Sequence, residues 1–503
     1  MKTNPIRGFL SIFSSQFSIL MLNLIFTPLI VRLLGSSQYG DYAFLLSILG
    51  ISMILVNAGI FDGLRKFVAE SRDIPNWEDH VFGLYARVGM LFAFTGILIF
   101  TIANLTGITA RLLGPRFEKY FYLLSGIIVA RQVFSLIRSG LMGMGLEQIS
   151  EPLKTVQRLV FGISAISLVW IGTELNGVLI GHILGPVAAI IVGFYYIYNN
   201  FSLGSVFRSP PESFPRKELL TFNSLSILLI LLMSSLYHLD ILLLKPLAGS
   251  QSTGYYKGAL TIAEFLWFVP NILQTVLLHS TSELWSESDT SRISNLVSRI
   301  TRYTLLFTLL LIMGLAALAD PLLPLYYGPD FVAAVPALLL LLPGALGFAI
   351  ARPIFAVGQG KGDLTLLIVA TGIAATVNAV LNVILIPRYG MTGAAIATSI
   401  GYGSMLVLHG YAAYRIGYSP FSDLRLFPVG ITCLVSAPVI FGSAVLLGPR
   451  PISLVIVPPL GLMVYSGVAI KVKAVDPSEI FVVTGHLPSP LSSWVKAATQ
   501  AIK

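Results

Sequence analysis

Residues 28–42 read PLIVRLLGSSQYGDY, and residues 242–256 read LLLKPLAGSQSTGYY. Leu34-Gly35 followed by Tyr39-Gly40-Asp41-Tyr42 aligns with Ala248-Gly249 followed by Thr253-Gly254-Tyr255-Tyr256, an offset of 214 residues. The same offset relates Gly114-Pro115-Arg116-Phe117 to Gly328-Pro329-Asp330-Phe331. An offset of 215 relates Gly143-Met144-Gly145 to Gly358-Gln359-Gly360, and one of 216 relates Asn176-Gly177-Val178 to Thr392-Gly393-Ala394. Four short matches at nearly one spacing mark an internal duplication.

What is duplicated is apolar. Of the 503 residues, 55% are hydrophobic and 11% charged, with a mean hydropathy of +0.83. An average soluble domain carries about 25% charged residues, so this chain has too little charge for a water-facing surface. Its apolar runs repeat at about 20 residues, the length that crosses a hydrocarbon core about 30 Å thick. The 45 Gly and 28 Pro fit membrane helices, where neighbouring helices satisfy the freed backbone groups. The run from Gly8 to Val31 is too long for a signal-peptide core and is read as a retained first helix. The lone Cys433 has no cysteine partner for a disulfide or a thiolate metal site.

The expected fold is all-α and polytopic, with about 14 transmembrane helices. Each repeat holds about six spans, an even number, so the two copies insert in parallel as six-helix lobes around a central cleft. The expected divisions are an N-terminal lobe at 1–200, a cytoplasmic linker at 201–218 and a C-terminal lobe at 219–417. Two further helices follow at 426–471 and a cytoplasmic tail at 472–503. With alternate loops assigned to opposite sides, about 21 Lys and Arg fall on one side against about 8 on the other. The basic side carries Arg65, Lys66, Arg72, Arg138, Arg158, Arg208 and Arg302 and both termini, which are therefore expected in the cytoplasm. The net charge of +9 follows this membrane pattern, and no basic stripe with interleaved aromatics suggests nucleic acid.

The duplication and its motifs resemble the polysaccharide, O-antigen or Wzx-type flippases of the multidrug/oligosaccharidyl-lipid/polysaccharide exporter superfamily. The residues that carry the likeness are Pro28 to Gly35 with Tyr39-Gly40, Asn57-Ala58-Gly59 and Phe67 to Glu70. In the second half they are Asp240, Gly254-Tyr255-Tyr256, Asp330-Phe331, and Asn382 to Gly390 with Gly393-Ala394-Ala395. The resemblance covers roughly residues 5–415 and implies alternating access by two lobes. For this branch it implies a polyprenyl-linked oligosaccharide as cargo, carried across the cytoplasmic (cell) membrane, with membrane lipid and glycan-assembly proteins as candidate partners.

A charge near the centre of a membrane helix costs about 2.5–3.5 kcal/mol on insertion scales, so each needs a reason. Arg131, centred in the fourth span, is read as a guanidinium facing the cleft, able to grip a lipid diphosphate bidentately; the plainer reading is an interhelical ion pair or a snorkelling side chain. Arg352 is expected at similar depth in the other lobe, unless Arg352-Pro353 marks a helix break. Glu264, Asn271 and Gln274 are candidates for a sugar-binding face, since hydroxyls need donors and acceptors, or for helix packing. Lys257 lies near the outer end, as a phosphate exit contact or an interfacial cation. Asp240 is the candidate site for a coupling H+ or Na+, or a structural partner of Lys245 or Arg131. Asn378 and Asn382 are read as helix-packing groups, and His182 as a packed donor.

No zinc-binding His/Glu pair, nucleophile elbow or phosphate-binding loop appears; Gly358 to Gly362 lacks the required spacing and the Ser/Thr after Lys. No cofactor, metal or covalent chemistry is expected. Two rivals remain. A multidrug/cation antiporter of the same fold should carry acids within its first-lobe helices, whereas Asp41 and Asp62 sit at span ends. A membrane sugar polymerase should carry a large external loop.

Overall fold

The computed structural model describes residues 5–222 and 224–479, so the expected tail beyond 479, with Lys496 and Lys503, and Lys2 at the N-terminus lie outside the described residues. The described residues are helical, with no strand among them. In chain order the helices are α1 (Pro5–Asn57), α2 (Ile60–Ala69), α3 (Trp77–Leu105), α4 (Ile108–Leu113), α5 (Arg116–Gly143), α6 (Glu147–Leu168), α7 (Glu174–Asn200) and α8 (Arg216–Thr221). They continue as α9 (Ser224–Glu264), α10 (Phe268–Ser286), α11 (Thr290–Tyr327), α12 (Val335–Gly360), α13 (Thr365–Ile416), α14 (Leu426–Leu447) and α15 (Ser453–Lys471).

Among the described residues, ten helical runs are long and apolar enough to cross a membrane. Six are runs of 19–38 residues; the other four, Ser14–Ala69, Glu147–Asn200, Arg216–Ser286 and Thr365–Ile416, have 52–71 residues. Each of the four contains a glycine with positive φ: Gly35, Gly172, Gly249 and Gly390. Without a Cβ, glycine adopts this backbone freely, so the helix breaks where it stands.

The breaks repeat with the sequence. Gly35 (φ 69°, ψ 172°) and Gly249 (φ 85°, ψ 167°) share one conformation at the 214-residue offset. So do Gly114 (φ 101°, ψ 157°) and Gly328 (φ 118°, ψ 160°), each followed by a proline that opens the next helical segment. All four lie in a region open essentially to glycine alone, which is why these glycines carried the duplication signal.

The chain divides into two compact units, Met1–Gly254 and Tyr255–Lys503. In the first, α6 and α7 pack along each other, α5 packs on α7 and α3, and α1 lies on α6. The 201–218 linker is fastened to this unit. The Asp79 carboxylate accepts from Ser202 N–H (2.7 Å), Arg87 donates to the Arg208 carbonyl (2.6 Å), and Arg72 bonds both Glu70 and Glu218 (2.7 Å each). The Tyr85 hydroxyl donates to the Leu219 carbonyl at 2.8 Å.

In the second unit, α12 is the central helix, packed by α10, α11 and α13. It runs unbroken through Arg352-Pro353, so the alternative of a helix break there is not what the structure has. Helices α14 and α15 form a hairpin on α11, tied by the Tyr465 hydroxyl to the Leu306 carbonyl at 2.9 Å. Asn378 and Asn382 are fully buried packing groups: Asn378 donates to Thr398 (3.4 Å) and Asn382 to the Asn378 carbonyl (3.0 Å). Arg302, which hydropathy places in a cytoplasmic loop, is instead fully buried in α11. It pairs with Asp423 (3.0 Å) and Glu479 (2.6 Å).

Candidate functional site

Small residues on α6 and α7 let their axes approach closely. A Cβ on Gly181 would meet Ala165, and one on Gly185 the Gln157 carbonyl and the Phe161 side chain. That approach lays the Phe161 ring on the His182 imidazole, centroids 4.1 Å apart and 28° from parallel. On its other neighbours the imidazole is held at both nitrogens. Nε2 lies 2.8 Å from the Tyr42 hydroxyl on α1, and Nδ1 lies 3.2 Å from Nη2 of Arg131 on α5. Arg158, one turn before Phe161 on α6, places its guanidinium 4.6 Å from the Phe161 ring centroid.

Guanidinium groups have donors only, so Arg131 fixes the proton arrangement: Nδ1 accepts, the imidazole is neutral, and Nε2–H donates to the Tyr42 hydroxyl. The cluster therefore carries two positive charges, Arg131 and Arg158, and a neutral ring.

Four other half-buried cations each have a carboxylate partner. Arg138 and Lys154 both pair with the buried Glu151 (2.6 and 3.2 Å), Lys245 with Asp41 (3.9 Å), and Lys257 with Glu264 (3.3 Å). Arg131 and Arg158 pair with no carboxylate among the described residues, and the Arg158 Nε has no hydrogen-bond partner there. Among the described residues Arg131 therefore makes no interhelical ion pair, one of its two plainer readings.

The second unit brings Arg352 and Gln274 together. Arg352 Nη1 donates to Gln274 Oε1 (3.0 Å), its guanidinium lies 4.4 Å from the Phe348 ring centroid, and Gln274 Nε2 donates to Gln359 Oε1 (3.5 Å). Phe348, Trp267 and Tyr402 form one aromatic cluster with centroids 4.6–5.1 Å apart. Lys257 and Glu264 pair with each other one helix away, and Asn271 is exposed, its backbone carbonyl accepting from Thr275. By the 214-residue offset the counterpart of Arg131 is Ala345 and that of Arg352 is Arg138. Arg131 and Arg352 therefore occupy different levels of their repeats, two helical turns apart, not the similar depth expected.

Asp240 is fully buried on α9, its carboxylate accepting from Ile241 N–H at 2.7 Å. Lys245, one of its two anticipated partners, pairs with Asp41 and lies 3.8 Å from the Phe117 ring centroid. No group of three His, Cys, Asp or Glu that could hold a metal occurs among the described residues.

Sequence reasoning missed Arg158, assigned to a cytoplasmic loop, and the participation of His182 and Tyr42. The signal for Arg158 was available. It lies on the face of α6 that carries Phe161, seven residues before Ala165 and four after Lys154, so it continues into the apolar stretch.

Residues 6–278, more than half of the chain, match the family model described as polysaccharide biosynthesis protein. The chain belongs to that family. Among curated relatives it is 21% identical over 444 residues to the "probable low-salt glycan biosynthesis flippase Agl15" of Haloferax volcanii, covering 87% of this chain and 90% of that one. It is 26% identical over 171 residues to an uncharacterised membrane protein, MJ1068, of Methanocaldococcus jannaschii, covering 34% of each. Among solved structures, the lipid II flippase MurJ in an inward closed conformation superposes with a TM-score of 0.72 at 17% identity, covering 92% of this chain and 98% of that one. An inward-facing multidrug resistance MATE transporter of the MOP superfamily gives 0.64 at 13% identity, covering 82% and 98%. This polysaccharide biosynthesis family member is thus a multi-pass membrane protein with the fold of the MOP transporters.

Proposed function

We propose that the chain is a flippase that carries a polyprenyl-phosphate-linked oligosaccharide across the cytoplasmic membrane by alternating access, for cell-surface polysaccharide or glycan assembly. The observation that carries this reading is the Arg131–Arg158 pair: two guanidiniums on membrane helices with no carboxylate partner among the described residues. Unpaired charge in this setting is costly, and a diphosphate headgroup is the anion that two guanidiniums fit, each able to bond it bidentately. The flippase named among the relatives and the MurJ-like fold support the same cargo class.

In this reading the lobes are residues 1–200 and 219–417, and each of the four glycine-broken runs makes two crossings, which gives fourteen. Both termini are cytoplasmic. Support comes from the way basic-side residues join one another, Arg72 with Glu218, Arg138 with Lys154 through Glu151, and Arg302 with Arg425 through Asp423. Arg352, Gln274, Glu264, Asn271 and Lys257 contact the glycan or its phosphates, with the prenyl tail left in lipid. The cycle needs no covalent step. An inside-negative potential moves anions outward, worth about 2.3 kcal/mol per charge per 100 mV, and inward H+ or Na+ through Asp240 is a second drive.

Reconstitution in proteoliposomes tests the proposal. Protein-dependent appearance of a lipid-linked oligosaccharide on the outer face is the expected result. Transport of a cationic dye against a proton gradient, without glycolipid movement, would assign the chain to the antiporter alternative.

A further inference from the structure

We infer that His182 binds a proton together with the anionic headgroup, so that cargo uptake and proton uptake are one linked event; this rests on the diphosphate reading of the Arg131–Arg158 pair. In the structure Nδ1 of His182 is occupied as an acceptor by Arg131 and Nε2–H is spent on the Tyr42 hydroxyl. A phosphate oxygen is a stronger partner for a guanidinium than an imidazole nitrogen, because its bond is charge-assisted and takes two N–H groups at once. When the headgroup engages Arg131, the Nδ1 lone pair loses its donor in a buried site, where an unmade hydrogen bond is expensive.

A proton at Nδ1 repairs this. The proton leaves hydronium or a buffer acid in the aqueous phase, breaking one bond there and leaving water or the buffer base; it forms one N–H bond, breaks none in the cargo, and gives an imidazolium that donates to the phosphate. Nε2–H keeps its bond to Tyr42 throughout. Without the anion the charge of that proton has no counter-charge among the groups around the ring. The groups facing His182 are Tyr42 from α1, Arg131 from α5, and Arg158 with Phe161 from α6; the charged ones are both cations, and no carboxylate among the described residues bonds the ring. An imidazolium there would meet two like charges with nothing to offset them. The headgroup supplies the offset, and by reciprocity the proton strengthens headgroup binding by the factor that the headgroup strengthens proton binding.

The test is calorimetric binding of a synthetic prenyl diphosphate sugar to the purified full chain in nanodiscs. The probe's disubstituted diphosphate has no proton of its own to exchange near neutrality. Titrations run from pH 5.5 to 8.5 in buffers of different ionisation enthalpy, on wild type, His182→Gln, Tyr42→Phe and Asp240→Asn. Wild type should take up as much as one proton per ligand, its affinity falling by up to about tenfold per pH unit as pH rises. In His182→Gln, whose amide still offers Arg131 an acceptor and Tyr42 a donor, both the uptake and the slope should vanish; in Tyr42→Phe the slope should move along the pH axis. Binding by wild type with no proton uptake, or uptake that survives in His182→Gln and is lost in Asp240→Asn, overturns the inference while leaving the anion site standing. No binding by wild type at any pH overturns the diphosphate reading and this inference with it.

Discussion

Gly40 and Gly254 press against each other's helices in a reciprocal way: a Cβ on Gly40 would collide with the Ser250 carbonyl, and one on Gly254 with the Ser36 carbonyl. The two Ser-x-x-x-Gly sequences, 36–40 and 250–254, are copies of one another at the 214-residue offset. Small residues four apart are what lets membrane helices cross at close range, so the duplication has built a crossing of α1 on α9 from two copies of one motif. Asp41 beside it accepts from the Ser250 hydroxyl at 2.6 Å.

Gly40→Ala and Gly254→Ala should therefore each destabilise the protein by about 1–3 kcal/mol, because the obstructing atom is backbone and cannot turn aside. Gly430→Ala, on α14 with nothing within 4 Å of its Cβ, is the matched control. Thermal unfolding in detergent compares them. Equal melting temperatures for all three would mean that α1 and α9 do not meet here.

Gly114 and Gly328 test the duplication at the level of backbone conformation. Neither would bring a Cβ within 4 Å of another group, so space is not the constraint. The constraint is φ near 101° and 118° with extended ψ, where a side chain costs about 1–3 kcal/mol. Alanine at either position should lower stability by that amount and by similar amounts at both. A loss at one position only would show that the two turns are not equivalent.

The duplication was legible because the glycines that recur are those with backbone angles only glycine adopts easily. Arg131 was legible as a lone charge in an apolar run. Other site residues were not, and the reason is physical. Hydropathy locates a span end by where charges begin, yet α11 has 38 residues, more than one crossing needs, and carries Arg302 into protein interior instead of water. Arg158 was lost in the same way, counted as a loop charge although α6 continues past it. His182 was visible, but its bond to Arg131 joins residues 51 positions apart on different helices, and no local pattern encodes that.

The Arg302 node carries a pH prediction. Burial alone would raise the Glu479 carboxyl, but hydrogen bonds from Arg302, the Asp476 N–H and Tyr303 outweigh it and hold it below the usual glutamate range. A lowered folded-state value means stability that is present at neutral pH and lost as the pH falls through that value. Glu479→Gln should unfold earlier than wild type at pH 7, by about 1.5–3 kcal/mol, the cost of a hydrogen bond to a charged group, since Arg302 keeps Asp423 as its second carboxylate. The difference should shrink on acidification below about pH 4, as wild type loses its own carboxylate. Melting curves of both proteins across that range decide it, and a gap that stays constant with pH would remove Glu479 from the account.

The most direct test of the central claim is the rate of lipid-linked oligosaccharide flipping by Arg131→Gln and Arg158→Gln in proteoliposomes, beside wild type and Arg111→Gln on the exposed face of α4. Truncating one partner of a desolvated charge pair costs about 2–5 kcal/mol, so each site variant should flip at least about thirtyfold more slowly while Arg111→Gln matches wild type. Wild-type rates in folded Arg131→Gln and Arg158→Gln would contradict the claim that these two unpaired guanidiniums hold the diphosphate.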